Sequence, residues 1–229
     1  AEHFSMDIGL FLGISGYSDL QDLLGMQKEE ECSGYIEPYA EWPVFQTWDY
    51  DVLARDLSCI VIERNGNIGN FVYLAPITGG AYFGLNESGL CMTTQNLASN
   101  SAKAGVPFAA IIYEVLSTFS STRQAVKFVE SVPKMSAHNY FLGDENGYYA
   151  NIETTSRRTS VRYVSRKESF VHTNSFLCSE FKEEEIRYSP TSEERHKVLE
   201  STLCKGSEAV WDCLERREYP LFRVGQQPS

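Results

Sequence analysis

The sequence lacks the features that mark membrane-spanning, nucleic-acid-binding and phosphate-loop proteins. No run of 18 apolar residues occurs, so no transmembrane helix is predicted. The chain has 20 basic against 31 acidic residues, a net charge of −11 and no basic stripe. This balance disfavours a nucleic-acid partner and an anionic membrane surface. There is no glycine-rich phosphate loop, and Gly79-Gly80 indicates only a turn.

The cysteines show no C-x-x-C spacing, so a zinc site is not predicted, and neither is any other metal or an organic cofactor. Cys59 and Cys91 lie inside strand-like runs and are predicted to be buried thiols rather than halves of disulfides. The six positions are Cys32, Cys59, Cys91, Cys178, Cys204 and Cys213.

The composition is that of an ordinary globular protein. The 229 residues are 42% hydrophobic and 13% aromatic, enough for one large domain or two small ones. The chain begins with Ala1 rather than Met, so the lack of a signal peptide is weak evidence on location. A cytoplasmic protein is expected, and a secreted or organellar one is left open.

Sets of strands and helices alternate along the chain. Strands are predicted from period-two patterns and helices from 3.6-residue patterns, with turns at Asn65-Gly66-Asn67 and Asn86 to Gly89. The order predicts an α+β domain in which helices cover stacked antiparallel sheets. Helices are expected at Asp19–Met26 (capped by Ser18 or Asp19), Phe108–Leu116, from Ser121 or Thr122 to Pro133, Ser192–Leu203 and Ser207–Leu214; strands are expected at Leu57–Glu63, Phe71–Leu74, Gly80–Gly84, Leu90–Thr94, Asn139–Leu142, Tyr148–Glu153, Ser160–Val164 and Ser169–His172.

The two C-terminal helices are rich in charge, and their charged side chains are predicted to be solvated. His196 lies on the first of these helices and is expected to face water as well.

Cys32 is the candidate nucleophile. No His stands near it in the sequence, so a Cys–His pair with His138 or His172 would have to form through space. A second route needs no His. If the chain is cut before Cys32, the new α-amine lies close to its own sulfur and titrates at about 7.7–8.0, near working pH. An N-terminal amine acting as the base for its own side chain is a known arrangement.

Three other stretches complete the pattern: Gln46-Thr47-Trp48-Asp49, Thr94-Gln95-Asn96 and His172-Thr173-Asn174. Each alone is compatible with an ordinary turn or a polar strand end. The aromatic residues around Trp48 could line an acyl pocket or belong to the core.

With Cys32-Ser33, Gly84 to Leu90 and Asn139 to Asp144, these stretches make the chain resemble the acyl-coenzyme A:6-aminopenicillanic acid (isopenicillin N) acyltransferases. These enzymes are N-terminal-nucleophile (Ntn) hydrolases. The resemblance extends, more distantly, to choloylglycine hydrolases and penicillin V acylases. It spans Cys32 to Arg223.

The resemblance implies a four-layer αββα sandwich and a zymogen that cuts itself between Glu31 and Cys32. Residues 1–31 would be an N-terminal pro-segment and residues 32–229 the Ntn domain. By the same resemblance, Cys32 attacks an acyl carbonyl, Asp49 orients its α-amine, and Asn96 and Asn174 help to form the oxyanion hole. Neutral donors aimed at the oxyanion are what such a reaction requires.

The resemblance further implies a small-molecule amide or an acyl-CoA-like compound as substrate. Substrate contacts are expected at Gln46 and, if the aromatic residues around Trp48 line an acyl pocket, at Tyr35 and Trp48. Gln46 stands where the bile-salt and penicillin V enzymes have Arg, which favours the acyltransferase branch. Family members continue beyond Ser229 with further strands, so the last strands are expected to be missing here. A homo-oligomer is left open.

Two hypotheses follow. The first is a self-processing cysteine amidohydrolase or acyltransferase. The second is an unprocessed, non-catalytic member of the same fold that serves in binding or assembly.

Overall fold

The structure is a computed structural model that describes residues 17–26, 31–49, 56–65, 68–76, 79–186, 189 and 191–222. Two antiparallel sheets form its centre. Over this described part of the chain, no helix is long and apolar enough to cross a membrane.

The larger sheet has seven antiparallel strands that follow one another in chain order. Each strand pairs with the next in the sequence: most neighbours are joined by short turns, whereas two helices lie between the fourth and fifth strands. The strands are β3 (Ser58–Asn65), β4 (Gly69–Pro76), β5 (Phe83–Asn86), β6 (Cys91–Asn96), β7 (His138–Gly143), β8 (Tyr149–Thr154) and β9 (Thr159–Val164).

The smaller sheet has three strands in the order β10, β1, β2. They are β1 (Glu31–Ile36), β2 (Val44–Asp49) and β10 (Phe170–His172). In the central strand β1, Cys32 lies opposite Trp48, Gly34 opposite Gln46 and His172, and Glu31 opposite Asp49. The sequence stretches that carry the resemblance thus meet on neighbouring strands.

Helices cover the outer faces of both sheets. On the larger sheet lie α2 (Phe108–Thr118) and α3 (Thr122–Ser131), whose apolar residues form one buried core with strands β4 to β8. On the smaller sheet lie α4 (Ser192–Leu203) and α5 (Ser207–Glu215), which pack on Tyr35 and Val171. The predicted α+β fold of two stacked sheets covered by helices is therefore confirmed.

The two sheets approach closely behind Cys32. Gly34, two residues along β1, has the side-chain amide of Gln95 and a ring carbon of Phe141 on the larger sheet as neighbours. A Cβ atom at Gly34 would come within 2.6 Å of the Gln95 Nε2 atom and 2.7 Å of the Phe45 carbonyl oxygen. Only glycine fits there, so the close packing of the sheets requires this residue.

The N-terminal helix α1 (Tyr17–Leu23) is joined to the domain by a buried carboxylate. Asp19 accepts hydrogen bonds from the Phe108 N–H (3.2 Å) and the Ser136 hydroxyl (2.6 Å), and lies 3.3 Å from the His138 Nε2 atom. The first N–H groups of a helix have no acceptor inside that helix. Asp19 supplies an acceptor for one of these groups, the Phe108 N–H at the start of α2.

Several boundaries differ from the predictions. The first helix begins at Tyr17 and ends at Leu23, so Ser18 and Asp19 lie inside it rather than capping it, because Asp19 bonds to the domain instead. Strand β5 begins at Phe83, not Gly80, since Gly79 and Gly80 both have positive φ angles. The turn at Gly66-Asn67 lies outside the described residues.

All six cysteines are free thiols, as predicted for Cys59 and Cys91. The prediction that Cys59 is buried was wrong, since the residue is exposed, and Cys91 is only half-buried. Cys59 lies on β3, the edge strand of the larger sheet, where a side chain has a neighbouring strand on one side only.

Asn86 forms the turn between β5 and β6 and also links it to α2. Its Oδ1 atom accepts hydrogen bonds from the N–H groups of Ser88 and Leu90, both at 3.1 Å. Its Nδ2 atom donates to the carbonyl oxygens of Leu116 and Phe119 at the end of α2. The predicted turn is confirmed, and Gly89 supplies the positive φ angle it needs.

Replacing Asn86 by alanine should lower the free energy of unfolding by about 2–3 kcal/mol, because buried backbone groups lose their partners. Urea denaturation measures the change. Asn146→Ala, at an exposed turn residue, is the control and should change stability by less than about 0.5 kcal/mol. Equal effects of the two substitutions would contradict the structural role of Asn86.

Candidate active site

The Cys32 side chain is buried, with 3% of the residue exposed, and lines a small cavity between the sheets. The cavity has a volume of about 10 Å³, room for about one water molecule. Its walls are mostly aromatic, with a few polar groups near the thiol. Besides Cys32 they are formed by Trp48, Tyr82, Phe83, Thr94, Asn96, Phe108 and His138.

The backbone on either side of the Cys32 side chain is held by hydrogen bonds. The Cys32 N–H donates to the Asn174 Oδ1 atom at 2.8 Å. The Cys32 carbonyl oxygen accepts a hydrogen bond from the Arg195 guanidinium. Two side chains that lie far away in the sequence therefore fix the position of this residue within β1.

Arg195, which the sequence analysis missed, is the centre of this network. It is fully buried, and its guanidinium also donates to the Ser33 hydroxyl (2.9 Å) and the Asn174 Oδ1 atom (2.8 Å). The prediction that the charged helix is solvated was wrong for this residue. The spacing of Ser192, Arg195 and Leu199 in the sequence places them on one face of the helix, which could have indicated that Arg195 is on the buried face. All three residues are buried.

The Glu31 carboxylate is surrounded by polar side chains on the outer face of the smaller sheet. It accepts hydrogen bonds from the hydroxyls of Ser189 (2.9 Å) and Thr191 (2.7 Å), and the Arg195 Nε atom is 3.5 Å away. Charge-assisted hydrogen bonds of this kind are the stronger class. The residue that precedes Cys32 is therefore as firmly held as Cys32 itself.

Asp49 lies at the end of β2, opposite Glu31 in the register. Burial raises the pKa of its carboxyl to about 6, although the positive charge of Arg195 acts in the opposite direction. Its Oδ2 atom is buried without a hydrogen-bond partner among the described residues. The structure thus places a carboxylate that is costly to ionise beside the first residues of β1.

Asn174 and Asn96 lie next to each other at this site. The Asn174 Nδ2 atom donates to the Asn96 carbonyl oxygen at 2.9 Å, and both residues are buried. Asn96, at the end of β6, also lines the Cys32 cavity. Of the four predicted catalytic residues, Cys32, Asn96 and Asn174 are in one connected group, with Asp49 one register position from Cys32 on the neighbouring strand.

The three predicted substrate contacts are arranged differently. Trp48 lines the Cys32 cavity, and Gln46 lies in a cleft of about 500 Å³ at the edge of β2, whose wall includes Phe83, Trp42 and Trp211. Phe83 borders both spaces. Tyr35 lies on the opposite face of β1, stacked on Phe45 and fully buried in the core, so the structure does not bring it together with the other two.

Gln46 is fixed by its own amide. Its Nε2 atom donates to the Thr94 carbonyl oxygen, and its Oε1 atom accepts from the Gln95 Nε2 atom at 3.0 Å. Gln46 therefore joins β2 of the smaller sheet to β6 of the larger one. A neutral amide satisfies both partners at this position.

The two histidines considered as a base occupy separate places. Both ring nitrogens of His172 lie near oxygen acceptors: Nδ1 is 2.6 Å from the Thr173 carbonyl oxygen and Nε2 is 2.8 Å from a Glu153 carboxylate oxygen. Burial would raise the pKa of Glu153, but His172 and two backbone N–H groups hold that pKa below its ordinary value. Both ring nitrogens of His172 are therefore engaged by buried oxygen partners and are not directed at Cys32.

His138 borders the Cys32 cavity, but its hydrogen bonds go to Ser136 and Asp19 through the Nε2 atom. Among the described residues, no hydrogen bond joins it to the Cys32 thiol. The geometry therefore gives no support to a papain-like pair.

No group of three or more His, Cys, Asp or Glu side chains in the described ranges is placed to hold a metal ion. The groups around Cys32 are instead amides, hydroxyls and one guanidinium. These are hydrogen-bond donors and acceptors suited to acyl chemistry.

Comparison with solved structures finds the same fold. The N-acylethanolamine-hydrolyzing acid amidase ortholog of Caenorhabditis elegans has a TM-score of 0.57 at 11% identity, covering 83% of this chain and 87% of that one. Penicillin V acylase from Agrobacterium tumefaciens scores 0.46 at 18% identity, covering 79% of this chain and 58% of that one. A variant of conjugated bile acid hydrolase from Clostridium perfringens scores 0.45 at 13% identity, covering 66% and 55%.

Comparison with curated protein sequences gives no significant match. The family model for acyl-coenzyme A:6-aminopenicillanic acid acyl-transferase matches residues 43–225, which is most of the chain and includes β2, both sheets' later strands and the helix that carries Arg195. With its two stacked antiparallel sheets, the chain therefore belongs to the acyl-coenzyme A:6-aminopenicillanic acid acyl-transferase family and has the Ntn-hydrolase fold.

Proposed function

We propose that the protein is a self-processing amidohydrolase or acyltransferase that uses Cys32 as an N-terminal nucleophile. The observation that carries the proposal is the geometry of the Glu31–Cys32 peptide. Asn174 and Arg195 hydrogen-bond to the Cys32 backbone, and two hydroxyl groups donate to the Glu31 carboxylate. Cys32 itself lines a cavity between the sheets. Such fixed positioning of reacting groups lowers a barrier by removing the entropy of alignment.

In the processing step, the Cys32 sulfur attacks the Glu31 carbonyl carbon and the peptide C–N bond breaks. The nitrogen takes up the thiol proton, which leaves a thioester between Glu31 and Cys32 and a free α-amine on Cys32. Water then hydrolyses the thioester. The products are residues 1–31, ending in a carboxylate, and a domain that begins with Cys32 and carries both the thiol and the amine.

In turnover, the α-amine of Cys32 acts as base for the thiol, which attacks the substrate's acyl carbonyl. The Asn174 Oδ1 atom accepts a hydrogen bond from this nitrogen in the intact chain, which supports a role in orienting the amine after cleavage. Asp49 supplies a negative charge beside the new ammonium group. Asn96 and Asn174, which lie next to each other at the site, are the proposed amide donors to the oxyanion.

The proposed substrate is a linear amide of a small molecule. Its acyl group passes to Cys32, and either water or an amine then takes it from the acyl-enzyme. The family is described by an acyl-CoA acyltransferase activity, and the Caenorhabditis elegans neighbour hydrolyses an N-acylethanolamine. Both activities share the acyl-enzyme step, so an acyl-CoA is a second candidate acyl donor.

The second candidate is a non-catalytic protein that keeps the fold. It is favoured by the continuity of β1, which runs through Glu31 and Cys32 with regular pairing to β2, and by a cavity with room for about one water. Without cleavage the Cys32 nitrogen remains an amide and cannot act as a base.

The intact mass of the protein under denaturing conditions separates the two candidates. We expect the wild-type chain to give a peptide of residues 1–31 and a chain that starts at Cys32, whereas Cys32→Ala stays whole. Cys59→Ala, at an exposed thiol, is the matched control and should be cut like the wild type. A wild-type chain that stays whole after long incubation would favour the non-catalytic candidate.

Replacing Asp49 by Asn in the uncut Cys32→Ala background should stabilise the fold at pH 7. The folded pKa of about 6 exceeds the ordinary 3.8, so the folded state is penalised for ionising this carboxyl as pH rises from about 4 to 6. The expected gain above pH 6 is up to about 3 kcal/mol, vanishing near pH 4. Urea denaturation at both pH values measures it.

The control is Asp144→Asn in the same background, because the Asp144 carboxylate accepts hydrogen bonds from three backbone N–H groups. That variant should be destabilised at pH 7. In the chain with Cys32 intact, Asp49→Asn should lose most of its activity despite its added stability. Destabilisation by Asp49→Asn would contradict the assigned environment.

Replacing Arg195 by Lys should slow processing by about 10²-fold, since a lysine cannot reach the Cys32 carbonyl, Ser33 and Asn174 together. The appearance of the chain beginning at Cys32 is followed by mass spectrometry at a temperature where both proteins are folded. Arg162→Lys, at an exposed arginine, is the control. An unchanged processing rate would remove Arg195 from the proposed machinery.

A further inference from the structure

A second cleft, of about 430 Å³, lies away from Cys32 at the end of α3. One side is the segment from Glu130 to Lys134, and the other is the turn between β8 and β9, from Thr155 to Thr159. None of the residues that line the Cys32 cavity lines this cleft. Its surface is mostly polar, with hydroxyl and cationic groups.

Lys134 is the central group of this cleft. The residue is only 5% exposed, and its ammonium donates hydrogen bonds to the Thr159 hydroxyl at 2.8 Å and the Glu130 carbonyl oxygen at 3.3 Å. Both partners are neutral oxygens. No ion pair among the described residues involves Lys134, so its positive charge is buried against these oxygens without a direct counter-charge.

Such a charge is costly to bury unless an anion pairs with it. The burial of Lys134 lowers the pKa of its amine to about 8, while the more distant charge of Glu130 acts in the opposite direction. The amine is therefore still mainly protonated at neutral pH. The third N–H of the ammonium remains available for a ligand.

Two arginines stand at the mouth of the same cleft. The Thr155 hydroxyl accepts hydrogen bonds from the N–H groups of Arg157 and Arg158 and so fixes the turn that carries both guanidinium groups. Arg158 also contacts the Glu180 carbonyl oxygen and lies 3.5 Å from Glu184. Arg157 makes no ion pair with any residue in the described ranges.

We propose that this cleft is a binding site for a phosphate group, either free phosphate or the phosphate of a small monoester. Three cationic residues line it, Lys134, Arg157 and Arg158, against the single carboxylate of Glu130, and the Arg158 guanidinium also bonds to the Glu180 carbonyl oxygen and lies 3.5 Å from Glu184. This is the reverse of the chain as a whole, which carries 31 acidic and 20 basic residues. A buried lysine supplies a point charge and an arginine a planar pair of donors, a combination that suits a tetrahedral oxyanion.

The site is independent of the proposed catalytic function. Lys134 lies in the loop that leads into β7, but the groups it contacts belong to α3 and β9. The same prediction therefore holds for a cut chain, an uncut chain and the Cys32→Ala variant. Failure of the phosphate site would leave the proposed function untouched, and the reverse also holds.

Isothermal titration with inorganic phosphate at pH 7, on the full chain carrying Cys32→Ala, tests the proposal. We expect measurable binding at millimolar phosphate or below, and a loss of about tenfold or more in affinity for Lys134→Met. Lys127→Met, at an exposed lysine on the same helix α3, is the matched control and should bind like the parent. Binding should also weaken as pH rises above about 8, as Lys134 loses its proton.

A second variant keeps the test decisive if Lys134→Met fails to fold by circular dichroism. Arg157→Gln removes an exposed guanidinium without touching the buried amine and should weaken binding about fivefold. Titration with adenosine 5′-monophosphate, with adenosine as the control, distinguishes a monoester from free phosphate as the ligand. Tighter binding of the monophosphate than of phosphate assigns the site to a monoester. Equal binding assigns it to free phosphate. No heat of binding up to about 20 mM phosphate, or equal affinity in Lys134→Met and the parent, would overturn the proposal.

Discussion

The buried guanidinium of Arg195 is the interaction on which the rest of the site depends. It contacts the Cys32 carbonyl oxygen, the Asn174 amide and the Ser33 hydroxyl, and it lies 3.5 Å from the Glu31 carboxylate. An unpaired charge at 0% exposure would be strongly destabilising, so these partners must all stay in place for the domain to be stable. The stability of the smaller sheet and the positioning of the candidate nucleophile thus have one cause.

The close contact between the sheets sets a second constraint on the site. Gly34 lets the Gln95 amide reach the back of β1, where Gln95 bonds to Gln46 on β2. The hydrogen bond from Gln46 to the Thr94 carbonyl oxygen then joins the two sheets beside the cavity. In this contact the Gln46 amide donates to the Thr94 carbonyl oxygen and accepts from the Gln95 amide, so all the groups are neutral and bonded. An arginine at position 46 would bring a positive charge into it. The neutral residue is therefore consistent with the packing around it.

Much of the fold could be predicted because local patterns and tertiary packing agree. Helix α4 occupies the range expected from its pattern, and the turn at Asn86 has the predicted conformation. Predictions failed where a distant contact decided the outcome. Asp19 has the character of a helix cap, but its carboxylate bonds to Phe108, 89 residues away. Arg195 lies on a charged helix and was therefore predicted to face water. Its burial follows only when the buried face of that helix is known.

The candidate site was predicted mainly through a resemblance, because its parts come from three separate strands, the segment after β10 and one helix. Tyr35, predicted from the aromatic residues around Trp48, shows the limit of proximity in sequence: it is close to Cys32 along the chain, but strand alternation places it on the other face of β1. The same alternation explains why Glu31 and Asp49 share one face while the Cys32 thiol points to the other. Because successive side chains of a strand point to opposite faces of the sheet, the two carboxylates lie on the face away from the thiol, and Asp49 stays one register position from Cys32. In the proposed mechanism, that separation would let an ionised acid neighbour the α-amine without opposing formation of a thiolate in the cavity.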